Sequence, residues 1–200
     1  MNLANKLTLA RVIIAPLFVI TLLLSDIPYN YLWALILFAA ASITDFFDGK
    51  IARKRNLVTN FGKFLDPLAD KILVISAFVC MIELGWATSW CVALIIAREF
   101  MVSGIRLLAA GSDKNLVIAA SIWGKLKTAV TMVAIVAILI MHILIQFGVI
   151  YDMAAPVALT GSEFPVTVVT DVLMYLATTL TVISGAHYLW QYRHFIDTKK

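Results

Sequence analysis

Residues 32–84 read LWALILFAAASITDFFDGKIARKRNLVTNFGKFLDPLADKILVISAFVCMIEL, two apolar runs that flank one charged segment. The runs, Leu32–Ala52 and Leu65–Leu84, each have about twenty residues, enough for a helix to cross roughly 30 Å of hydrocarbon. They lack the strict alternation of barrel strands, so both are predicted to be helices. Because the connection between them is short, we expect two antiparallel neighbouring helices.

The same pattern extends to both ends of the chain. Hydrophobic residues make up 62% of the 200 residues and charged residues only 14%, against roughly a quarter charged in soluble domains. Arg11 lies inside the first apolar run and no cleavage motif follows that run, so it is expected to be a retained helix rather than a signal peptide. The predicted fold class is all-α: a polytopic membrane protein with six transmembrane helices, forming one domain over residues 1–200. The predicted helices are Leu7–Leu24, Leu32–Ala52, Leu65–Leu84, Ser89–Ala110, Ile122–Ile145 and Val166–Tyr188.

Basic residues predict how these helices are oriented in the membrane. All sixteen Lys and Arg lie in or near the two termini, the second-to-third connection and the fourth-to-fifth connection. The positive-inside rule therefore places both termini in the cytoplasm, for a multi-pass protein of the inner (cytoplasmic) membrane. The basic cluster at 50–55 would attract anionic membrane lipids, and we expect no nucleic-acid partner. Irregular structure is expected in the long outer connection, Gln146–Pro165.

Four aspartates lie in the central hairpin. Asp45 and Asp48 are about 60° apart on one face of the second helix, and Asp66 and Asp70 are about 40° apart on one face of the third. Carboxylates inside apolar helices are costly, and four together repel one another, so a bound cation is expected. Oxygen ligands suit Mg²⁺, Mn²⁺ or Ca²⁺, and two ions about 3.5–4 Å apart would use all four carboxylates.

An alternative for these carboxylates is pairing with lysines of the bundle, for which Lys63 and Lys71 are the candidates. Beside them, Gly49 and Ala52 carry little or no side chain, which would let phosphates approach the backbone of the second helix. The planar fork of Arg53 would bind a phosphate or the edge of a nucleobase. Helix packing explains the small residues equally well, and Arg53 is also explained as a flanking cation of the cytoplasmic side.

The segment DFFDGKIARKRNLVTNFGKFLDPLAD fits the pattern D-x2-D-G-x2-A-R-x8-G-x3-D-x3-D, and through it the chain resembles the CDP-alcohol phosphatidyltransferase family. Every fixed position of this family signature is met: Asp45, Asp48, Gly49, Ala52, Arg53, Gly62, Asp66 and Asp70. The resemblance continues through NKLTLARVIIAP at 5–16, AREFMVSGIR at 97–106 and GKLKTAVTM at 124–132. It is strongest to family members that use a glycerol phosphate acceptor.

The resemblance implies transfer of a phosphatidyl group from CDP-diacylglycerol to sn-glycerol 3-phosphate, in anionic phospholipid biosynthesis, at an active site facing the cytoplasm. It implies a cofactor of two divalent ions, Mg²⁺ or Mn²⁺, and a homodimer. The implied metal ligands are Asp45, Asp48, Asp66 and Asp70, and Asp70 is also the implied general base. The implied CDP-lipid ligands are Asp48, Gly49, Ala52, Arg53 and Gly62.

A glycerol phosphate acceptor adds about two negative charges, which predicts a basic pocket for its phosphate. Arg98 and Arg106 on the fourth helix are candidate ligands, because arginine inside a membrane segment is a functional-site hypothesis by default. Lys125 and Lys127 at the start of the fifth helix complete the candidate set. A salt bridge between Arg98 and Glu99 is an alternative explanation, and so is anchoring of the two lysines at the cytoplasmic surface.

Other functions remain open at this point. The same chemistry would serve serine, inositol or a second phosphatidylglycerol as acceptor. An intramembrane prenyltransferase also binds magnesium diphosphate through aspartates, but those enzymes usually have more helices and widely separated motifs. A cation transporter or channel would use the aspartates for permeation, yet these carboxylates lie on one side of the membrane and no helix is broken at the midplane.

Overall fold

A computed structural model describes residues 3–55, 60–110, 121–152 and 162–193. Side chains within these ranges are described except at 3–7, 45–55, 60–67, 70, 107–110, 151 and 162–164. The described part of the chain contains six helices and two short strands. They are α1 Leu3–Leu23, α2 Asn30–Arg55, α3 Asn60–Glu83, α4 Ser89–Ala110, α5 Ile122–Gln146, β1 Ile150–Asp152, β2 Ser162–Phe164 and α6 Val166–Tyr192.

Each of the six predicted helices corresponds to one helix of the structure, so the helical class is confirmed. The bounds of α4 are as predicted, whereas α2 ends three residues later and α3 begins five residues earlier. An apolar run shows only the part of a helix that suits hydrocarbon, and backbone hydrogen bonding continues into polar residues. The pair β1 and β2 was not predicted; its strands are parallel, with Ile150 opposite Ser162.

The chain forms two compact units. Unit 1 comprises Met1–Trp86 and Ile135–Thr167, and unit 2 comprises Ala87–Ala134 and Val168–Lys200. In unit 1, α1 packs against α2 and α3, and α2 also contacts α3. Fully buried Phe18 and Phe38 join α1 to α2, with ring centroids 5.8 Å apart. This packing holds the hairpin that carries the four aspartates.

A glycine terminates α3. Gly85 has a φ of +73°, and its N–H donates to the carbonyl of Ile82 at 3.0 Å. The N–H of Trp86 donates to the carbonyl of Met81 at 2.7 Å. These two bonds form a Schellman motif, which satisfies carbonyls that the helix leaves without partners. A side chain at position 85 would strain this backbone conformation, so the end of α3 depends on glycine.

A buried asparagine connects three chain segments of unit 1. Asn30, the first residue of α2, is 4% exposed. Its Nδ2 donates to the carbonyl of Leu22 at 3.2 Å, and its Oδ1 accepts from Nε2 of Gln146 at 2.8 Å. Next to it, the rings of Tyr29 and Phe147 stack with centroids 5.2 Å apart. The ends of α1 and α5 are thereby tied to the start of α2.

Two of the described helices, and an exposed apolar face on a third, have the character expected of membrane-spanning segments. By length and composition, α5 and α6 are apolar enough to cross a bilayer. On α1, Ile13, Leu17 and Ile20 lie at helical spacing on one face and are 56%, 47% and 50% exposed. Soluble monomers rarely expose apolar stripes of this kind, whereas a helix in lipid requires them. The structure therefore supports the membrane assignment.

Candidate functional site

The acidic positions of α2 continue a stripe that the helix buries. Ala34, Phe38 and Ala41 are each at most 1% exposed and recur at the spacing of one helix face. Positions 45 and 48 lie four and seven residues beyond Ala41, which is the same face. The helix remains unbroken through both positions. By helical register, positions 45 and 48 thus fall in line with the stripe that is buried over the first half of α2.

The acidic positions of α3 have the same relation to its buried face. Leu73 is 2% exposed and Ala77 is fully buried. Positions 66 and 70 each lie seven residues, about two turns, before one of these two residues. By register, both pairs of positions thus fall in line with buried stretches of two helices that contact each other within unit 1.

The residues predicted to bind the metals and the CDP-lipid are among those whose side chains the structure does not describe. These residues are Asp45, Asp48, Gly49, Ala52, Arg53, Gly62, Asp66 and Asp70. Among the side chains that the structure describes, no three His, Cys, Asp or Glu form a group that could hold a metal. The metal and CDP-lipid sites therefore stay predictions, based on helix register and on the donor types.

Three charged residues of unit 2 form one ion-pair network. Oε1 of Glu99 accepts from Nη1 of Arg98 at 2.9 Å and from Nζ of Lys127 at 2.6 Å. The side chains of Arg98, Lys127 and Glu99 are 11%, 3% and 20% exposed. One carboxylate is thus shared between two cations away from bulk solvent, which leaves the network a net charge of +1. Glu99 thereby joins its neighbour Arg98 on α4 to Lys127 on α5, which lies 28 positions later in the sequence.

Helix α6 supplies one polar partner for each arginine of α4. Nη2 of Arg98 donates to Oγ of the fully buried Ser184 at 2.7 Å. Arg106 donates from Nε to the Tyr188 hydroxyl at 3.3 Å, and its guanidinium carbon lies 5.8 Å from the centre of that ring. Because the later residue of α4 contacts the later residue of α6, the two helices run in the same direction. This direction is the one expected for helices separated by a single span.

These contacts leave one N–H donor of the Arg98 guanidinium without a hydrogen bond within the described part of the chain. Its Nε is buried and has no hydrogen-bond partner among the described residues. A buried donor without a partner costs free energy, which a bound anion would recover. Lys125, unlike Lys127, is exposed and lies outside the network with Glu99. Arg98, Lys127 and Arg106 are the members of the predicted phosphate set that the structure holds in place through neighbouring side chains.

The salt bridge foreseen as an alternative for Arg98 is present, and it extends to Lys127. Sequence reasoning missed Ser184 and Tyr188, although their spacing of four residues puts two polar groups on one face of an apolar helix. It also assigned no role to Arg11, which is 2% exposed in α1. A buried arginine inside an apolar run is itself a signal for a functional position.

Comparisons with known proteins identify the family of the chain. The model of the CDP-alcohol phosphatidyltransferase family matches residues 1–183. A relative from Bacillus subtilis is 40% identical over 96% of this chain and 93% of its own length. A relative from Rickettsia typhi is 38% identical over 94% of each chain. A relative from Escherichia coli K12 is 41% identical over 67% of this chain and 74% of its own length. All three are named CDP-diacylglycerol–glycerol-3-phosphate 3-phosphatidyltransferase. The chain therefore belongs to the CDP-alcohol phosphatidyltransferase family.

Proposed function

We propose that this chain transfers a phosphatidyl group from CDP-diacylglycerol to sn-glycerol 3-phosphate, releasing CMP. The observation that carries the proposal is the near full-length similarity to relatives named for that reaction. The basic network of unit 2 supports it, because a net positive charge with an unused buried donor suits a phosphorylated acceptor better than a neutral one. Residues 1–200 are taken as one functional domain.

In this proposal the four aspartates of the hairpin hold two divalent ions, Mg²⁺ or Mn²⁺. The fit rests on the donor set: Asp45, Asp48, Asp66 and Asp70 offer only carboxylate oxygens, and they belong to two helices that contact each other. Such oxygen donors match the preference of hard cations. When bound, the ions would neutralise negative charge on the donor pyrophosphate.

The chain's own residues then carry the transfer. Asp70 accepts the proton of the acceptor hydroxyl as that oxygen attacks the phosphorus on the lipid side of the pyrophosphate. A bond forms from the acceptor oxygen to this phosphorus, the bond from phosphorus to the bridging oxygen breaks, and CMP leaves with the electron pair. Asp48, Gly49, Ala52, Arg53 and Gly62 bind the CDP-lipid: the small residues admit the phosphates, and Arg53 donates hydrogen bonds to them or to the base.

The acceptor phosphate is assigned to Arg98, Arg106, Lys125 and Lys127. Charge-assisted hydrogen bonds from arginine and lysine are roughly twice as strong as neutral ones. Glu99 pairs with both Arg98 and Lys127, yet it cancels only one of their two charges. One positive charge of the network, together with Arg106 and Lys125, stays available for a phosphate dianion.

For the membrane arrangement we propose six spans, both termini in the cytoplasm and an active site facing the cytoplasm, in the inner membrane. The parallel course of α4 and α6 supports alternating spans, and the basic connections support the orientation. A homodimer is proposed from the family resemblance alone.

The test of function is CMP release by the purified protein in detergent with CDP-diacylglycerol and Mg²⁺ or Mn²⁺. Glycerol 3-phosphate, serine, inositol and phosphatidylglycerol are offered separately. We expect release with glycerol 3-phosphate only, and loss of release in excess EDTA. Release with another alcohol would keep the chemistry and change the acceptor. Release with none of them would contradict the proposal and favour a prenyl-transfer or ion-binding role.

Arg106→Ala tests the acceptor site. Loss of one charge-assisted contact of about 1.5–3 kcal/mol predicts an apparent KM for glycerol 3-phosphate raised by about ten- to a hundredfold. The apparent KM for CDP-diacylglycerol should change less than about twofold. Tyr188→Phe is the companion variant, since it keeps the ring under Arg106 and removes only the hydroxyl. Equal increases for both substrates in Arg106→Ala would count against the assignment.

A further inference from the structure

Gly185 of α6 leaves space for the stem of Arg98. A Cβ built on Gly185 would lie 3.0 Å from Cγ and 3.9 Å from Cβ of Arg98, and 3.4 Å from Cε of Met101. A separation of 3.0 Å is closer than carbon atoms approach without repulsion. Cγ of Arg98 lies near the backbone end of its side chain, so it cannot move away without carrying the guanidinium with it.

The position of this glycine is unfavourable for the helix itself. It lies in the interior of the 27-residue α6, whose residues include no other glycine. Glycine in a helix interior is destabilising relative to alanine. In membrane proteins small residues often let two helix backbones approach, but the atoms nearest to Gly185 belong to side chains of α4, two of the three to Arg98.

The outer end of the same side chain is held by two further residues. Ser184, adjacent to Gly185, accepts from Nη2, and Glu99 accepts from Nη1. The stem is therefore confined by α6 and the two terminal nitrogens are oriented by hydrogen bonds, while Nε has no partner among the described residues. Fixing a long side chain before binding avoids the entropic cost of ordering it when a ligand arrives.

We propose that Gly185 and Ser184 are positioning residues that hold Arg98 ready for the acceptor phosphate, so that α6 sets acceptor affinity without touching the acceptor. The inference rests on the proposed function, because it takes Arg98 as a phosphate ligand. Gly185 acts through space and Ser184 through a hydrogen bond, and neither residue carries a charge of its own.

The experiment measures steady-state CMP release for Gly185→Ala, with Gly104→Ala as matched control. Gly104 lies on α4, the helix of Arg98, and a Cβ there would meet nothing within 4 Å. In Gly185→Ala we expect the apparent KM for glycerol 3-phosphate to rise about five- to tenfold. The KM for CDP-diacylglycerol should stay within about twofold, and Gly104→Ala should match the wild type in both constants. Ser184→Ala should shift the acceptor KM in the same direction as Gly185→Ala.

A double-mutant cycle separates positioning from a general packing effect. If Gly185 acts through Arg98, Gly185→Ala adds no further rise in acceptor KM once Arg98→Ala is present. Additive effects in the double variant, or equal rises for donor and acceptor, would overturn the inference. An unchanged acceptor KM in Gly185→Ala beside an active wild type would overturn it as well and leave the proposed function intact. A wild type without glycerol 3-phosphate-dependent release would overturn the proposed function, and the inference with it.

Discussion

Replacement of Asp70 with asparagine should lower kcat for CMP release by about 10²–10⁴-fold, the usual contribution of a general base. Asparagine keeps the size and shape of the side chain but cannot take a proton from the acceptor hydroxyl at neutral pH. It also removes one negative charge from the proposed metal-binding set. Among the variants considered, this one should have the largest effect on activity.

The matched control for Asp70→Asn is Asp26→Asn, the same chemical change at an exposed turn between α1 and α2. Wild-type rates in Asp26→Asn and a preserved melting temperature in Asp70→Asn would assign the loss to chemistry rather than to folding. Retention of more than about a tenth of wild-type kcat in Asp70→Asn would show that another group takes the proton.

Glu99→Gln should have the largest effect on stability. It leaves Lys127, 3% exposed, and Arg98, 11% exposed, without the carboxylate that both contact. Removing one member of a buried ion pair costs about 3–5 kcal/mol, and we expect about 2–3 kcal/mol because Glu99 is 20% exposed. The midpoint of thermal unfolding in detergent should fall by several degrees.

Glu83→Gln is the control for this variant, because Glu83 is an exposed residue at the end of α3. It should unfold at the wild-type temperature. An unchanged midpoint in Glu99→Gln would mean that the network is effectively solvated and contributes no more than a surface ion pair. Restoration of the lost stability by glycerol 3-phosphate would support phosphate binding at the same cations, since a ligand stabilises the state that it binds.

The helices could be predicted from the sequence because the bilayer imposes a length on each apolar run. This reasoning gave all six helices and the bounds of α4. The predicted end of α2 was too early and the predicted start of α3 was too late. Polar segments such as 53–55 carry no hydrophobic signal, although their backbone stays helical. The strands β1 and β2 were missed, since three residues give too short a pattern to recognise.

For the predicted ligands of the acceptor phosphate, the sequence predicted the residues but not their partners. Helical spacing indicates which residues share a face, and it found Arg98 and Arg106 on α4. It does not indicate which face of another helix they meet. The contact of Arg98 with Ser184 joins residues 86 positions apart, and that of Lys127 with Glu99 joins residues 28 apart. Both contacts depend on how α4, α5 and α6 pack in unit 2.

The sequence by itself determined the helical class, the membrane character, the family and the four acidic positions of the hairpin, because all of these depend on composition or on short fixed spacings. Only the tertiary structure decided that Glu99 is shared by two cations, that α6 supplies one partner for each arginine, and that Gly185 makes room for Arg98. Such contacts are selected by the packing of distant segments, and no local periodicity encodes them.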